Sequence, residues 1–108
     1  MNNNELIQPL IEKLYNDFSI DKSNLLVKKD YSEELKIIKE FLSKRIVQLM
    51  EKNQERFFNT LYRIDVHESK VAQILNTSQN IPDDLADLII ERQLQRIKTQ
   101  ILYKQGKL

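Results

Sequence analysis

The sequence has few residues suited to tight turns, and it has no sulfur ligand. Glycine occurs once, at Gly106, and proline twice, at Pro9 and Pro82, in 108 residues. Phosphate-holding loops and nucleophile elbows need several glycines, so their absence argues against nucleotide-binding and hydrolase folds built on such loops. Cysteine is absent, which excludes disulfides, thiolate metal sites and a cysteine nucleophile. These absences predict a chain built of helices.

Charge and length narrow the class of protein further. Seventeen basic and sixteen acidic side chains give a formal charge of +1, so no bulk electrostatic field attracts the chain to nucleic acid or a membrane. A chain of this length is expected to form one domain, over residues 1–108. Residues 1–5 are polar and the sequence has no long apolar run, so we expect neither a signal peptide nor a membrane-spanning helix. We therefore expect a cytoplasmic protein.

Apolar residues at steps of three and four indicate where the helices lie. We predict helices at about 5–18, 31–64, 66–75 and 82–104, with a frayed tail at 105–108. The polar run 51–55 contains no helix breaker, which favours one continuous helix over 31–64 and leaves a break near 53 as the alternative. Residues 19–29 are expected to be a connector. The predicted fold is a single-domain, all-α, mostly antiparallel bundle of four or five helices.

The expected helix starts have recognisable capping signals. Asp30 and Glu33 have the spacing of a capping box, and so do Asp65 and Glu68. Pro82 suits the first turn of a helix, and the carboxylates that follow it suit the positive end of the helix dipole. The chain is therefore expected to start helices near residues 31, 66 and 82.

Several predicted helices have apolar residues on more than one face. In the last helix, one stripe consists of Ala86, Ile90, Leu94, Ile97 and Ile101, and nearly opposite it project Leu85, Leu88 and Ile89. A central helix with neighbours on both sides explains such faces within one chain, but their number favours a homodimer or a partner-binding groove. The candidate interface residues are Ile37, Phe41, Phe58, Tyr62, Leu85, Leu88 and Ile89.

The sequence provides little for catalysis or metal binding. His67 is the only histidine, so a two-histidine zinc site is impossible, and a solvated histidine is the simpler interpretation. Asp83, Asp87 and Glu91 recur at steps of four, but helix-dipole complementarity explains such a row of carboxylates without a metal. We therefore predict no catalytic residue, no metal site and no cofactor.

A basic strip on the last helix is the clearest candidate for a ligand-binding surface in the sequence. Arg92, Arg96, Tyr103 and Lys107 share one side of that helix. Guanidinium groups bind phosphates and tyrosine stacks on bases, so the strip could bind nucleic acid or another anionic ligand. The preference for cations near a helix C-terminus explains the same residues without a ligand.

Two segments also resemble short, all-helical bacterial proteins that are uncharacterised. The resemblance covers residues 59–68 and 85–92. It implies an all-helical fold around the corner from Tyr62 to Glu68, and it implies no activity or ligand.

The leading hypothesis is a non-enzymatic protein-protein interaction module that docks through a helix face, on a second copy or on another protein. The alternative is an accessory protein that binds nucleic acid or an anionic ligand through the basic strip. An enzyme that uses His67 is a third hypothesis with little support.

Overall fold

The computed structural model describes residues 4–20 and 30–106, and it confirms the all-α class. No strand occurs in these two ranges. The five helices are α1 (Asn4–Phe18), α2 (Tyr31–Lys52), α3 (Gln54–Arg63), α4 (Glu68–Thr77) and α5 (Ile81–Lys104). Most of the predicted connector, including Leu25–Val27, lies outside the described residues, as do residues 107–108 of the predicted tail.

Helix α5 packs against α1, α2 and α4. Its buried apolar residues, Leu85, Ala86, Ile89, Ile90 and Ile97, lie within about 140° of one another around the helix. The buried parts of the two apolar faces expected from the sequence therefore join into one wide buried face within a single chain. Burial of each leucine or isoleucine in this face is worth about 1.5–3 kcal/mol.

Three aromatic rings join α1 to α3. The centroids of Phe18 and Phe57 are 6.2 Å apart, and those of Phe57 and Phe58 are 5.4 Å apart with an edge-on geometry. Phe18 and Phe57 are fully buried, whereas Tyr15 of α1 is 44% exposed.

The helix expected over 31–64 is interrupted at Asn53, so the favoured continuous helix is corrected and the alternative of a break near 53 is the one that the structure shows. Asn53 has φ −154° and ψ 70°, outside the helical region, and ends α2 as its C-cap. Its side-chain oxygen accepts a hydrogen bond of 3.1 Å from the amide of Arg56 and so caps the start of α3. An asparagine therefore breaks the helix by capping, although its helix propensity alone does not predict the break.

Of the two expected capping boxes, the structure confirms the cap at the first and corrects the second. Asp30 accepts a hydrogen bond of 2.9 Å from the amide of Glu33, as an N-cap should. Asp65 instead follows the end of α3: its amide bonds to the carbonyl of Tyr62, and the amide of Val66 bonds to the carbonyl of Leu61. This pair of bonds is a Schellman motif. Helix α4 starts three residues later, after His67.

The Schellman motif puts Asp65 at a position that usually holds glycine. Asp65 has φ +65°, and Ser19, which follows α1, has φ +57°. A side chain in this left-handed region costs about 1–2 kcal/mol, less for residues such as aspartate that bond locally. Two helices of this chain therefore end in a residue with positive φ that is not glycine, and the backbone at these two residues is strained.

At each of these two strained ends, an arginine from another helix binds the preceding carbonyl. Arg45 Nε donates to the carbonyl of Phe18 at 2.8 Å, and Arg92 Nε donates to the carbonyl of Ile64 at 3.0 Å. Both arginines are partly buried. Such bonds satisfy free carbonyls and bring positive charge to the negative end of a helix. They also tie α1 to α2 and α3 to α5.

A polar network around the buried side chain of Gln93 links α1, α3 and α5. Gln93 has no exposed surface, and its amide donates to Asp17 at 2.7 Å. The other Asp17 oxygen pairs with Arg63 at 3.1 Å, and Gln93 Oε1 accepts from Arg96 at 3.0 Å. Both ends of the buried amide are therefore satisfied, as burial of a polar group requires.

The pair of Lys39 and Asp87 links α2 to α5 at the surface. Their side chains are 3.0 Å apart. The hydrogen bond to Asp87 raises the pKa of Lys39, the charges of Asp87, Asp83 and Asp84 act in the same direction, and burial opposes them. A raised lysine pKa stabilises the fold at pH values below the usual lysine pKa, and this contribution is lost as the pH rises through the folded-state pKa. Both groups are too exposed for a large effect.

We predict that Asp65→Gly is about 1 kcal/mol more stable than Asp65→Ala, because only glycine adopts positive φ without strain. Both variants lose the same carboxylate, so the comparison isolates the backbone. Urea unfolding of the two variants measures the difference. Equal midpoints would show that position 65 carries no left-handed strain.

We predict that Gln93→Leu lowers the free energy of unfolding by about 1–3 kcal/mol, because one Asp17 oxygen and an Arg96 donor lose their partner where both are partly buried. Gln95→Leu, on the exposed side of α5, is the control and should change stability by less than about 0.5 kcal/mol. Chemical denaturation followed by circular dichroism gives both values. A similar small effect at both positions would contradict a stabilising role for the network.

We predict that Ser43→Ala raises the free energy of unfolding by about 1 kcal/mol. The Ser43 hydroxyl is buried in α2 with no hydrogen-bond partner among the described residues, and alanine removes the unsatisfied group and has higher helix propensity. A thermal melt that shows a lower midpoint for the alanine variant would indicate that the hydroxyl makes a stabilising bond.

Candidate docking groove between the fourth and fifth helices

A surface groove lies between α4 and α5. It consists of a cleft of about 680 Å³ at the corner between α3 and α4 and a cleft of about 660 Å³ along α4. Lys70, Leu88 and Glu91 line both clefts, so we treat them as one α4–α5 groove. The corner cleft is also lined by Tyr62, Asp65, Val66, His67, Glu68, Ser69, Arg92 and Gln95. The second cleft is also lined by Gln73, Ile74, Thr77, Ser78, Gln79, Asp84 and Asp87.

The groove exists because α4 rests mainly on α5 and leaves most of its own surface open. Val71 is the only buried residue of α4. The Schellman motif at Asp65 turns the chain away from α3, and Val66 returns to the core. Arg92, which bonds to the carbonyl of Ile64, holds this corner against α5. The position of one wall of the groove thus depends on a strained turn and one arginine.

Three apolar side chains in the groove remain open to solvent. Tyr62 is 55% exposed, and Ile74 and Leu88 are only partly buried against the core. Leu75, the neighbour of Ile74 on α4, is 36% exposed but does not line the groove. The apolar surface therefore extends along the groove from the α3–α4 corner to the middle of α4.

Some of the carboxylates that line the groove already have partners within the chain. Asp87 is paired with Lys39, and Asp65 lies 3.6 Å from Arg92. These two aspartates are therefore partly neutralised.

Three other carboxylates of the groove are exposed and make no ion pair with the described residues: Glu68, Asp84 and Glu91. Asp84 accepts a hydrogen bond of 2.6 Å from the Ser78 hydroxyl, and its charge acts on Lys39 without forming an ion pair with it. Lys70 is the one opposing charge that both clefts share. The charged lining of the groove is thus mainly acidic.

The structure separates the seven candidate interface residues into three groups. Leu85 and Ile89 are fully buried inside one chain, so their expected role as docking anchors is corrected: they are core residues. Tyr62 is exposed and Leu88 partly exposed, and both line the groove. The remaining three are partly buried against the core away from the groove: Ile37, Phe41 and Phe58.

The basic strip is mostly engaged within the chain. Arg92 binds the carbonyl of Ile64 and lies near Asp65, and Arg96 donates to Gln93. Tyr103 is 75% exposed, and Lys107 lies outside the described residues. The two arginines therefore have structural partners that the sequence did not indicate.

His67 lies at the N-cap of α4, where its side chain makes no capping hydrogen bond. It is exposed and lines the corner cleft.

Within residues 4–20 and 30–106, no group of three or more histidine, aspartate or glutamate side chains is placed to hold a metal ion. No helix in the same part of the chain combines the length and apolar character that a membrane crossing needs.

Sequence reasoning misses several groove residues. The apolar pattern places Ile74 on the predicted helix 66–75, and it gives no indication that Ile74, Glu68 or Lys70 faces a cleft. The local sequence contains no signal for these roles, since the groove depends on how α4 sits on α5. The acidic first half of α5 is visible in the sequence, but helix-dipole complementarity explains it without a partner.

Comparison with known proteins gave no match to a family model, to a curated protein or to a solved structure. The functional interpretation of the groove therefore rests on its own geometry.

Proposed function

We propose that this chain is a non-enzymatic protein-interaction module and that the α4–α5 groove is its docking surface. The partner is an amphipathic helix with lysine or arginine beside its apolar residues. The observation that carries this proposal is the combination of exposed apolar side chains in the groove with exposed carboxylates that make no ion pair within residues 4–20 and 30–106.

The shape of the groove suits a helix. The ten residues of α4 span about 15 Å at 1.5 Å per residue, which corresponds to roughly three turns of a partner helix lying alongside. Amphipathic helices bind such grooves through apolar anchors at positions i, i+3, i+4 and i+7. Tyr62, Leu88 and Ile74 would receive these anchors.

The charges determine which kind of helix is favoured. Glu68, Asp84 and Glu91 lie along the groove and are exposed. Cations on the partner would pair with them at the rim, where such contacts steer association and exclude acidic competitors. A helix with glutamate at the same positions would face like charges.

The alternative of nucleic-acid binding through the basic strip has less support. Arg92 and Arg96 would have to leave partners inside the chain before they could bind phosphates. No observation in the described residues favours this alternative over the groove.

We predict that a synthetic amphipathic helix of leucine and lysine binds the groove and that its leucine and glutamate counterpart does not. The probes are two 14-residue peptides that differ only in the charged residue. NMR titration of the isotope-labelled chain should shift the amide signals of Ile74, Leu88 and Glu91 with the lysine peptide. Shifts spread over the whole surface, or equal binding of both peptides, would contradict the proposal.

Two neighbouring residues on α4 provide a matched control for this titration. Ile74→Gln changes a residue that lines the groove, whereas Leu75→Gln changes an exposed leucine that does not. We expect at least tenfold weaker peptide binding for the first variant and unchanged binding for the second, with circular dichroism to show that both fold. Equal loss in both variants would place the binding surface elsewhere.

A further inference from the structure

Helix α5 has an exposed stripe whose charge changes sign along its length. At about 100° per residue, six positions of α5 lie within roughly 80° of one another. They are, in order, Asp84, Asp87, Glu91, Gln95, Lys98 and Leu102. The first five are exposed and Leu102 is partly exposed. The stripe thus runs from acidic through neutral to basic and apolar.

The C-terminal end of α5 extends beyond the described core. The last buried residue of the helix is Ile97, and residues 98–104 are exposed or partly buried. These seven residues span about 10 Å of helix. They include the exposed cation Lys98 and the partly exposed Leu102, which both belong to the stripe. This end of α5 therefore has the chemistry that the groove requires of its partner.

Two antiparallel α5 helices are complementary to each other. If Leu102 of one copy faces Leu88 of the other, the same register places Lys98 close to Glu91, and two-fold symmetry repeats both contacts. The neutral Gln95 of each copy then lies near the symmetry axis. A parallel arrangement would put carboxylates against carboxylates and cations against cations.

We propose that the occupant of the α4–α5 groove is the C-terminal half of α5 from a second copy of the chain, in an antiparallel, two-fold symmetric dimer. This inference rests on the proposed docking role of the groove and names its partner. The contact is isologous, so one self-complementary surface closes the assembly and leaves no free end for further growth.

The test uses two full-length variants with opposite charge reversals at exposed positions. Glu91→Lys places cations at both 91 and 98, and Lys98→Glu places carboxylates at both. We expect wild type to sediment as a dimer, at twice the chain mass of 12.9 kDa. Each variant alone should dimerise at least tenfold more weakly, because both symmetric ion pairs become like-charge contacts.

The two weakened variants should then form a heterodimer when mixed in equal amounts. The lysine introduced at position 91 of one variant would face the glutamate introduced at position 98 of the other, and the unchanged Lys98 and Glu91 would pair across the axis. The double variant Glu91→Lys with Lys98→Glu should dimerise with itself. Gln100→Lys, an exposed change on a different side of α5, is the control and should leave the wild-type mass unchanged. Circular dichroism checks that every variant is helical.

The outcomes distinguish this inference from the proposed function. A wild-type chain that stays monomeric at millimolar concentration, or a dimer that the charge reversals do not weaken, would overturn the α5 inference. If the leucine and lysine peptide still binds the groove in that case, the docking role stands with a different partner. If wild type is monomeric and the peptide does not bind either, both proposals fail.

Discussion

The fold depends on the burial of one wide face of α5. Leu85, Ala86, Ile89, Ile90 and Ile97 are buried within an arc of about 140°, and α1, α2 and α4 all contact this helix. Non-directional apolar burial of this kind dominates folding energetics, and it leaves α4 as the element with the fewest neighbours. The groove beside α4 is thus a consequence of the same arrangement that builds the core.

Apolar burial alone does not determine where the helices end. At the ends of α1 and α3, arginine side chains stabilise the terminal turn. The chain has one glycine, so α1 and α3 end in Ser19 and Asp65 at positive φ. Arg45 and Arg92 each donate Nε to the carbonyl before such a residue. Each bond offsets part of the strain by satisfying a helix-end carbonyl with a charged donor. Because Arg92 also lies in the corner cleft, the interaction that secures the turn also shapes the candidate site.

The sequence predicted the helices well where their signals are local. Apolar periodicity located four helical regions, and the spacing from Asp30 to Glu33 identified a true cap. The misses are features that depend on contacts distant in sequence. Asn53 breaks the long helix by capping α3, and Asp65 closes α3, because Val66 is drawn to the core beside Leu61. The burial of Leu85 and Ile89 likewise follows from the helices α1, α2 and α4 that pack around α5, and the sequence of α5 alone does not show these neighbours.

The charge order along α5 has two physical consequences that act together. Acidic residues near the N-terminus and basic residues near the C-terminus are what the helix dipole favours within one chain, and this explains the order without a partner. The same order, placed on an exposed stripe, also makes an antiparallel pair of such helices attractive at both ends. Exposed apolar surface beside the charges distinguishes pairing between two α5 helices from stabilisation by the helix dipole. The dipole effect requires charges only, whereas a helix-helix contact also requires apolar side chains. Leu88 and Leu102 provide that surface at opposite ends of the stripe, close to Glu91 and Lys98 respectively, and Leu102 lies beyond the last buried residue of the helix.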